Sequence, residues 1–351
     1  MATFSGVVEP DITLFMEPDG REAAQVIGSR WKRPVARVEV LDDGLAGVAR
    51  RVAQSEAERV VIGSTSCLFI ADPAALADRI GRVEDQLVKF SVSRTPVEVY
   101  ACRREALSRL LQSHVERGAG RGALRDSLFD GVLHGALELI VDVPGEILFQ
   151  NDLMEYYSNN IWVVANGESP RLHSALARLP EPASQGAESH VAERGSIRNS
   201  WLASGVEVEG AVEDSILFPN VIVRRHARVS RAVVLSGNRI GAGTEIQNAL
   251  ILPFTSEVPR PAPNIGENCS IGGARSSTAK NVDFPSQIRN GISVIGTNVD
   301  IPNGFRAEAA TYVAPGVPSA ILRKLKVLRR GTSALRDRPT PAGGNGSGEL
   351  E

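Results

Sequence analysis

The sequence predicts an α/β layer followed by a parallel β-helix, on two observations. Up to about residue 165, short β-branched runs alternate with segments of helical period, the pattern of an α/β layer with a mainly parallel sheet. From residue 206, apolar residues return every seventeen residues, a step that fits neither a helix nor a hairpin. In blocks of seventeen, the first column reads Val206, Val223 and Ile240, and the seventh reads Val212, Val229 and Ile246. Columns eleven to thirteen read Ile216-Leu217-Phe218, Val233-Val234-Leu235 and Leu250-Ile251-Leu252, and column ten is small throughout: Ser215, Ala232 and Ala249. Six residues separate columns one and seven, and about three such steps close one turn of a coil. Each block is then one rung with three short sides. Branched residues point inward, and the small column occupies a tight corner.

The elements follow in order. "DITLF" (11–15) and "VARVEVL" (35–41) read as strands, the second with period-two alternation. "GLAGVARRVAQSEAE" puts Leu45, Val48, Ala49 and Val52 on one helical face, and the buried strand "RVVIG" follows. A helix at "DPAALADRI" takes Asp72 as its cap and Pro73 in its first turn. Then come the strand "PVEVYAC", the helix "RREALSRLLQSHV", the strand "ALELIVDV" and the helix "NDLMEYYSNNIWVV". Residues 1–165 form the first domain on this reading, and the Pro-, Ser- and Gly-rich run 166–195 is the linker. Residues 196–317 are the coil, whose rhythm resumes at Ile265 and Ile271, then at Ile295 and Ile301, around an excursion at 272–291. The last rung needs a cover. A basic amphipathic helix over 318–330, with Ile321, Leu322, Leu325 and Leu328 on one face, is expected to supply it; binding to a membrane surface is its alternative. Residues 331–351 are expected to be disordered.

Composition bounds the function. The chain has 351 residues, 42% hydrophobic and 23% charged, enough for two domains of ordinary globular balance. A formal net charge of -2 and a pI near 6.3 argue against a nucleic-acid partner. Three cysteines, Cys67, Cys102 and Cys269, are too scattered for a disulfide framework or a metal-ligand spacing. No basic leader and no run of about eighteen apolar residues is present, so the expectation is a cytoplasmic protein without a membrane partner.

Together, the α/β domain, the Pro-rich linker and the seventeen-residue repeat resemble the glucose-1-phosphate adenylyltransferase (ADP-glucose pyrophosphorylase) family. The likeness is most specific in "IRNSWLASGVEVEGAVEDSILFPNVIVRRHARVSRAVVLSGNRIGAGTEIQNALIL", which is similar to that family's left-handed β-helix. "NDLMEYYSNNIWVV" looks like the family's helix before the linker, and "ERVVIGSTSCLFIADPAALADRI" like its central strand and following helix. The resemblance covers roughly residues 43–272. It implies a reduced nucleotidyltransferase-like (Rossmann-type) sheet domain followed by a left-handed parallel β-helix.

The same resemblance implies that the chemistry has been lost. The family cradles nucleotide phosphates on a Gly-Gly-x-Gly-Thr-Arg loop, and none is found near the start of this sequence. "GAGRGALRD" (118–126) is glycine-rich and basic but follows a helix rather than a strand. The family's Glu-Lys-Pro sugar motif has no counterpart in "VEDQLVKFSVSRTPVEVY". Its two metal-binding aspartates correspond by position to Ser66 and Phe149, neither of which ligates Mg²⁺ as a carboxylate does. Asp72 and Asp152 lie nearby but read as helix caps.

The expectation is therefore a non-catalytic relative with no catalytic, cofactor or metal residue, linked to glycogen metabolism. It would assemble with itself or with a catalytic adenylyltransferase subunit. A divergent Mg²⁺-dependent nucleotidyltransferase is the alternative. A third class is a β-helix acyltransferase using a histidine as general base. Of His114, His134, His173, His190 and His226, only His226 falls in the repeat, at "RRHAR". Its neighbours Arg224, Arg225 and Arg228 are candidates for a small anionic effector or a subunit contact.

Overall fold

The computed structural model describes residues 12–16, 36–40, 43–64, 67–71, 73–84, 86–118, 123–124, 126–136, 139–149, 152–169, 187–255, 262–273 and 278–336. The chain divides into two compact units, residues 1–151 with 170–180, and residues 152–169 with 181–351.

In the first unit, strands β1 (Ile12–Met16) and β2 (Ala36–Val40) pair in parallel. Helix α1 (Leu45–Gln54) buries Leu45, Val48, Ala49 and Val52, the face its spacing predicts. Then follow β3 (Arg59–Gly63), β4 (Cys67–Ala71), α2 (Pro73–Gly81), β5 (Val88–Val92), β6 (Thr95–Arg103) and α3 (Arg104–Glu116). A π-helical segment α4 (Asp126–Leu133), β7 (Leu139–Val143) and β8 (Gly145–Phe149) complete the unit. The central sheet runs β3-β6-β5-β7. Its β3–β6 and β5–β6 pairs are antiparallel and only β5–β7 is parallel, so the mainly parallel sheet expected here is a mixed one. The reason is a tight hairpin. Ser93 and Arg94 both take positive φ, 48° and 69°, as a two-residue turn between β5 and β6 requires. Along β6 the pleat sends Val97, Val99 and Ala101 to one core with Leu76 of α2, and Tyr100 and Cys102 to another with α1 and α3.

In the second unit, parallel rungs stack three inward columns. One runs Ile197, Val212, Val229, Ile246, Ile271, Ala307, Leu328. A second runs Leu202, Leu217, Val234, Ile251, Ile295, Val313, Ala334. The third runs Val191, Val208, Val223, Ile240, Ile265, Ile301. The six residues read from the sequence as inward, Val206, Val212, Val223, Val229, Ile240 and Ile246, are all buried. The small column is buried too, and its preceding residues Asp214, Arg231 and Asn248 hold φ of 48°, 46° and 47°, which turns the corner.

Within the three blocks from residue 206 to 256, the seventeen-residue step fails at one place. Val223 pairs with Val208 rather than with Val206, because the corner between Val208 and Val212 is two residues shorter than the one between Val223 and Val229. The coil also extends further than expected at both ends. His190–Val191 already pairs with Glu207–Val208, within the segment read as linker. The helix expected over 318–330 is a seven-residue α6 (Ser319–Leu325), which Lys326 ends at φ 56°. Val327–Leu328 then pairs with Arg306–Ala307, and Ser333–Ala334 with Tyr312–Val313. The predicted apolar face divides accordingly: Leu322 packs from the helix, and Leu328 enters the coil core as a strand residue.

Helix α5 (Leu153–Ala165), read from the sequence as the last element of the first domain, groups with the coil unit. Met154, Tyr157 and Ile161 pack on Val233, Leu250, Ile292 and Val294, and the Tyr157 hydroxyl donates to the Arg231 carbonyl at 2.6 Å. The excursion supplies Ile288 to that cluster, and its buried Asn281 donates to the carbonyls of Ala310 and Thr332. Ser66, Asp72 and the tail beyond residue 336 lie outside the described residues, as does most of "GAGRGALRD".

Candidate functional site

Two places carry functional weight. The first is where the adenylyltransferase resemblance locates its metal aspartates. Strands β4 and β8 pair antiparallel with Cys67 opposite Phe149, so position 149 lies across the ladder from the residue following Ser66. Directly opposed antiparallel residues have Cα atoms about 4.5–5.5 Å apart. The ladder thus sets position 149 opposite Cys67, and a phenylalanine has no oxygen to offer a hard cation. Asp152 is committed elsewhere. One carboxylate oxygen accepts the Glu155 backbone N–H at 2.7 Å as the cap of α5, and the other lies 3.6 Å from the Arg289 guanidinium. Among the described residues, no cluster of His, Cys, Asp and Glu forms a metal-binding group.

The second place is built by the short corner. Its neighbours on either side, Val191 to Ile197 and Val223 to Val229, each take six residues, while Val208 to Val212 takes four. Two long corners therefore project on either side of a recessed one. The result is a cavity of about 550 Å³ lined by Glu193, Arg194, Gly210, Arg225, His226 and Arg228, among others. Gly210 forms its floor. A Cβ there would lie 2.3 Å from the Ala227 carbonyl oxygen and 2.8 Å from that of Arg224, so the recessed corner admits no side chain.

The upper corner is fixed by a clasp. The Glu209 carboxylate accepts the Arg224 guanidinium at 2.7 Å through one oxygen and the Arg225 backbone N–H at 3.2 Å through the other. The same device recurs higher in the coil, where Glu308 accepts the Arg329 guanidinium and the Arg330 backbone N–H at 3.2 and 2.9 Å. Of the three arginines singled out in the sequence, Arg224 is thus neutralised and absent from the cavity wall, while Arg225 and Arg228 are exposed and line it. Sequence reasoning missed Arg194. It precedes the repeat as read and joins the site only when His190–Val191 is seen to be a rung. Among the described residues Arg194, Arg225 and Arg228 make no ion pair. His226 sits at φ 61°, exposed at the corner, and no carboxylate among the described residues is hydrogen-bonded to its ring to orient it as a general base.

Residues 182–271 match the model of the GlmU-like C-terminal hexapeptide domain. The chain is 22% identical over 190 residues to a glucose-1-phosphate adenylyltransferase of Acetivibrio thermocellus, covering 51% of this chain and 41% of that protein. It is 27% identical over 158 residues to one from Desulfitobacterium hafniense, covering 42% of this chain and 33% of that protein. A glucose-1-phosphate thymidylyltransferase of Streptomyces antibioticus is 29% identical over 109 residues, covering 29% of this chain and 28% of that protein. The chain spans less than half the length of each of these curated relatives. No helix among the described residues is long and apolar enough to cross a membrane. The resemblance read in the repeat is therefore matched by named relatives, and this chain is a distant homologue of the sugar-phosphate nucleotidyltransferases that carries a hexapeptide-repeat coil.

Proposed function

We propose that this chain is a non-catalytic, regulatory or structural relative of glucose-1-phosphate adenylyltransferase. In this reading it serves ADP-glucose and glycogen metabolism in the cytoplasm by assembling with itself or with a catalytic subunit, and its coil is left-handed. The observation that carries the reading is Phe149, paired with Cys67 where the resemblance would require a metal carboxylate beside Ser66. Nucleotidyl transfer between two polyanions needs a divalent cation to offset the accumulating charge. Loss of a single preorganised transition-state contact already lowers turnover by about 10²–10³-fold. Asp152 is held by its own helix and by Arg289, so this carboxylate is not free to serve as a substitute.

The test mixes purified full-length protein with ATP, glucose 1-phosphate and Mg²⁺ and follows pyrophosphate release, with UTP, GTP, CTP and dTTP in parallel. The expected result is no release above the protein-free control. Turnover that disappears on Asp72→Ala or Asp152→Ala would overturn the proposal in favour of a rebuilt active site. A pull-down from the native cytoplasm, scored for an intact pyrophosphorylase, then separates a hetero-oligomeric role from self-assembly.

A further inference from the structure

We infer that the recess on the coil edge binds the phosphate group of a small soluble phosphate ester, whether or not the α/β unit turns over. Rungs of a parallel sheet are about 4.8 Å apart, so the two projecting corners, two rungs apart, are separated by roughly 10 Å of backbone. Less the atomic radii of both walls, this leaves a slot about as wide as a phosphate group or a sugar ring. The cavity of about 550 Å³ exceeds what one phosphate fills, and it lies within the range of small-ligand sites.

Charge selects the ligand. Arg194 reaches the slot from one wall and Arg225 from the other, with Arg228 beside it where the chain returns to the flat side. None of the three is neutralised by an ion pair among the described residues, whereas neighbouring Arg224 is paired with Glu209. Three arginines lining one slot suit a tetrahedral group with three or more acceptor oxygens better than a two-oxygen carboxylate. Glu193 in the same wall opposes an anion and keeps the affinity modest. The clasp from Glu209 to the Arg225 backbone N–H holds the upper corner in place before any ligand arrives, which reduces the ordering entropy lost on binding.

The experiment is calorimetric titration of the full chain with inorganic phosphate, glucose 1-phosphate and ATP, with acetate at matched ionic strength as the carboxylate control. Saturable binding of phosphate or its esters is expected, weakened about tenfold or more by Arg194→Ala, Arg225→Ala or Arg228→Ala and tightened by Glu193→Gln. Arg329→Ala, in the clasp remote from the recess, should leave the titration unchanged. Circular dichroism confirms that each variant keeps the fold, since all the replaced side chains are exposed. Tighter binding of glucose 1-phosphate than of ATP identifies a sugar phosphate as the source, and the reverse identifies a nucleotide. No saturable binding at millimolar phosphate, or binding indifferent to all three arginine variants, overturns the inference. It also fails if the arginine variants change the mass seen by light scattering but not the phosphate titration. The recess would then receive an acidic side chain of another protein copy.

Discussion

Val229 sits midway in an inward column, 1% exposed, with Val212 below and Ile246 above. An aspartate there would bury a carboxylate with no partner, a penalty of several kcal/mol against a total stability of about 5–15 kcal/mol. Val229→Asp is therefore expected to unfold the coil, seen as loss of the cooperative β-sheet melt by circular dichroism; a native-like, soluble variant would refute the inward assignment. Tyr157 provides a pH-dependent counterpart. Burial against the coil pushes its hydroxyl up to about 12 from the ordinary 10.0, with the Arg231 charge opposing the shift. The folded state then retains a proton that the unfolded chain releases above pH 10. Its contribution is complete below pH 10 and is lost as pH rises from 10 towards 12. In an absorbance titration of the four tyrosines, Tyr157 is expected to ionise last and together with unfolding. Tyr157→Phe should remove that final step and, by leaving the Arg231 carbonyl without its donor, destabilise by about 1–3 kcal/mol at neutral pH.

Corners and added elements rather than the flat sides set what is distinctive at the next scale. Gly210 is the tightest point of the short corner, so Gly210→Ala forces the next rung's carbonyl away, an overpacking penalty of about 1–3 kcal/mol. Its melting temperature should fall by several degrees, while a Gly→Ala change at the open Gly316 meets no atom within 4 Å and tests backbone strain alone. Helix α6 is a decoration on a coil that continues past it, with Leu322 buried and Arg323 and Lys324 exposed. A chain ending at Pro318 would lose Leu322, Leu328 and Ala334 from the core and open two ladders at Ala307 and Val313. We expect a lower melting temperature or aggregation. Unchanged stability together with lost liposome binding would restore the membrane reading of this segment.

At the scale of the molecule, the first rung presents Val191, Ile197 and Trp201, which are 40%, 37% and 36% exposed. Val191 and Ile197 head columns that stack inward in later rungs, and Trp201 heads the outward column of Ile216 and Val233, so exposed apolar surface gathers here and invites association. Self-assembly in which this surface takes part is the expected outcome, read as a mass above that of one 37.5 kDa chain in light scattering at micromolar concentration. A strict monomer, with no partner recovered in the pull-down, would count against both the assembly and the role proposed for it.

Much of this architecture was legible in the sequence because burial is written locally. A branched residue at a fixed step, a small residue at a corner and an aspartate before a helix each declare their environment without reference to distant chain. The inward columns, the buried Ser215–Ala232–Ala249 line and the Asp152 cap all follow from such signals. What the sequence left undecided depends on two segments meeting. The Ser93–Arg94 hairpin carries neither Asn nor Gly, so its turn is revealed only by strand pairing, and α5 presents an apolar face that does not name its partner. The two-residue deficit between Val208 and Val212 reads as a minor slip in period. Only when the rungs stack, with backbone hydrogen bonds fixing Val208 on Val223 and Val212 on Val229, does that deficit become a recess with Arg194 and Arg225 on facing walls. Periodicity determines which side chains go inside; the ladder between rungs decides which corners project, and with them where this protein can hold a ligand.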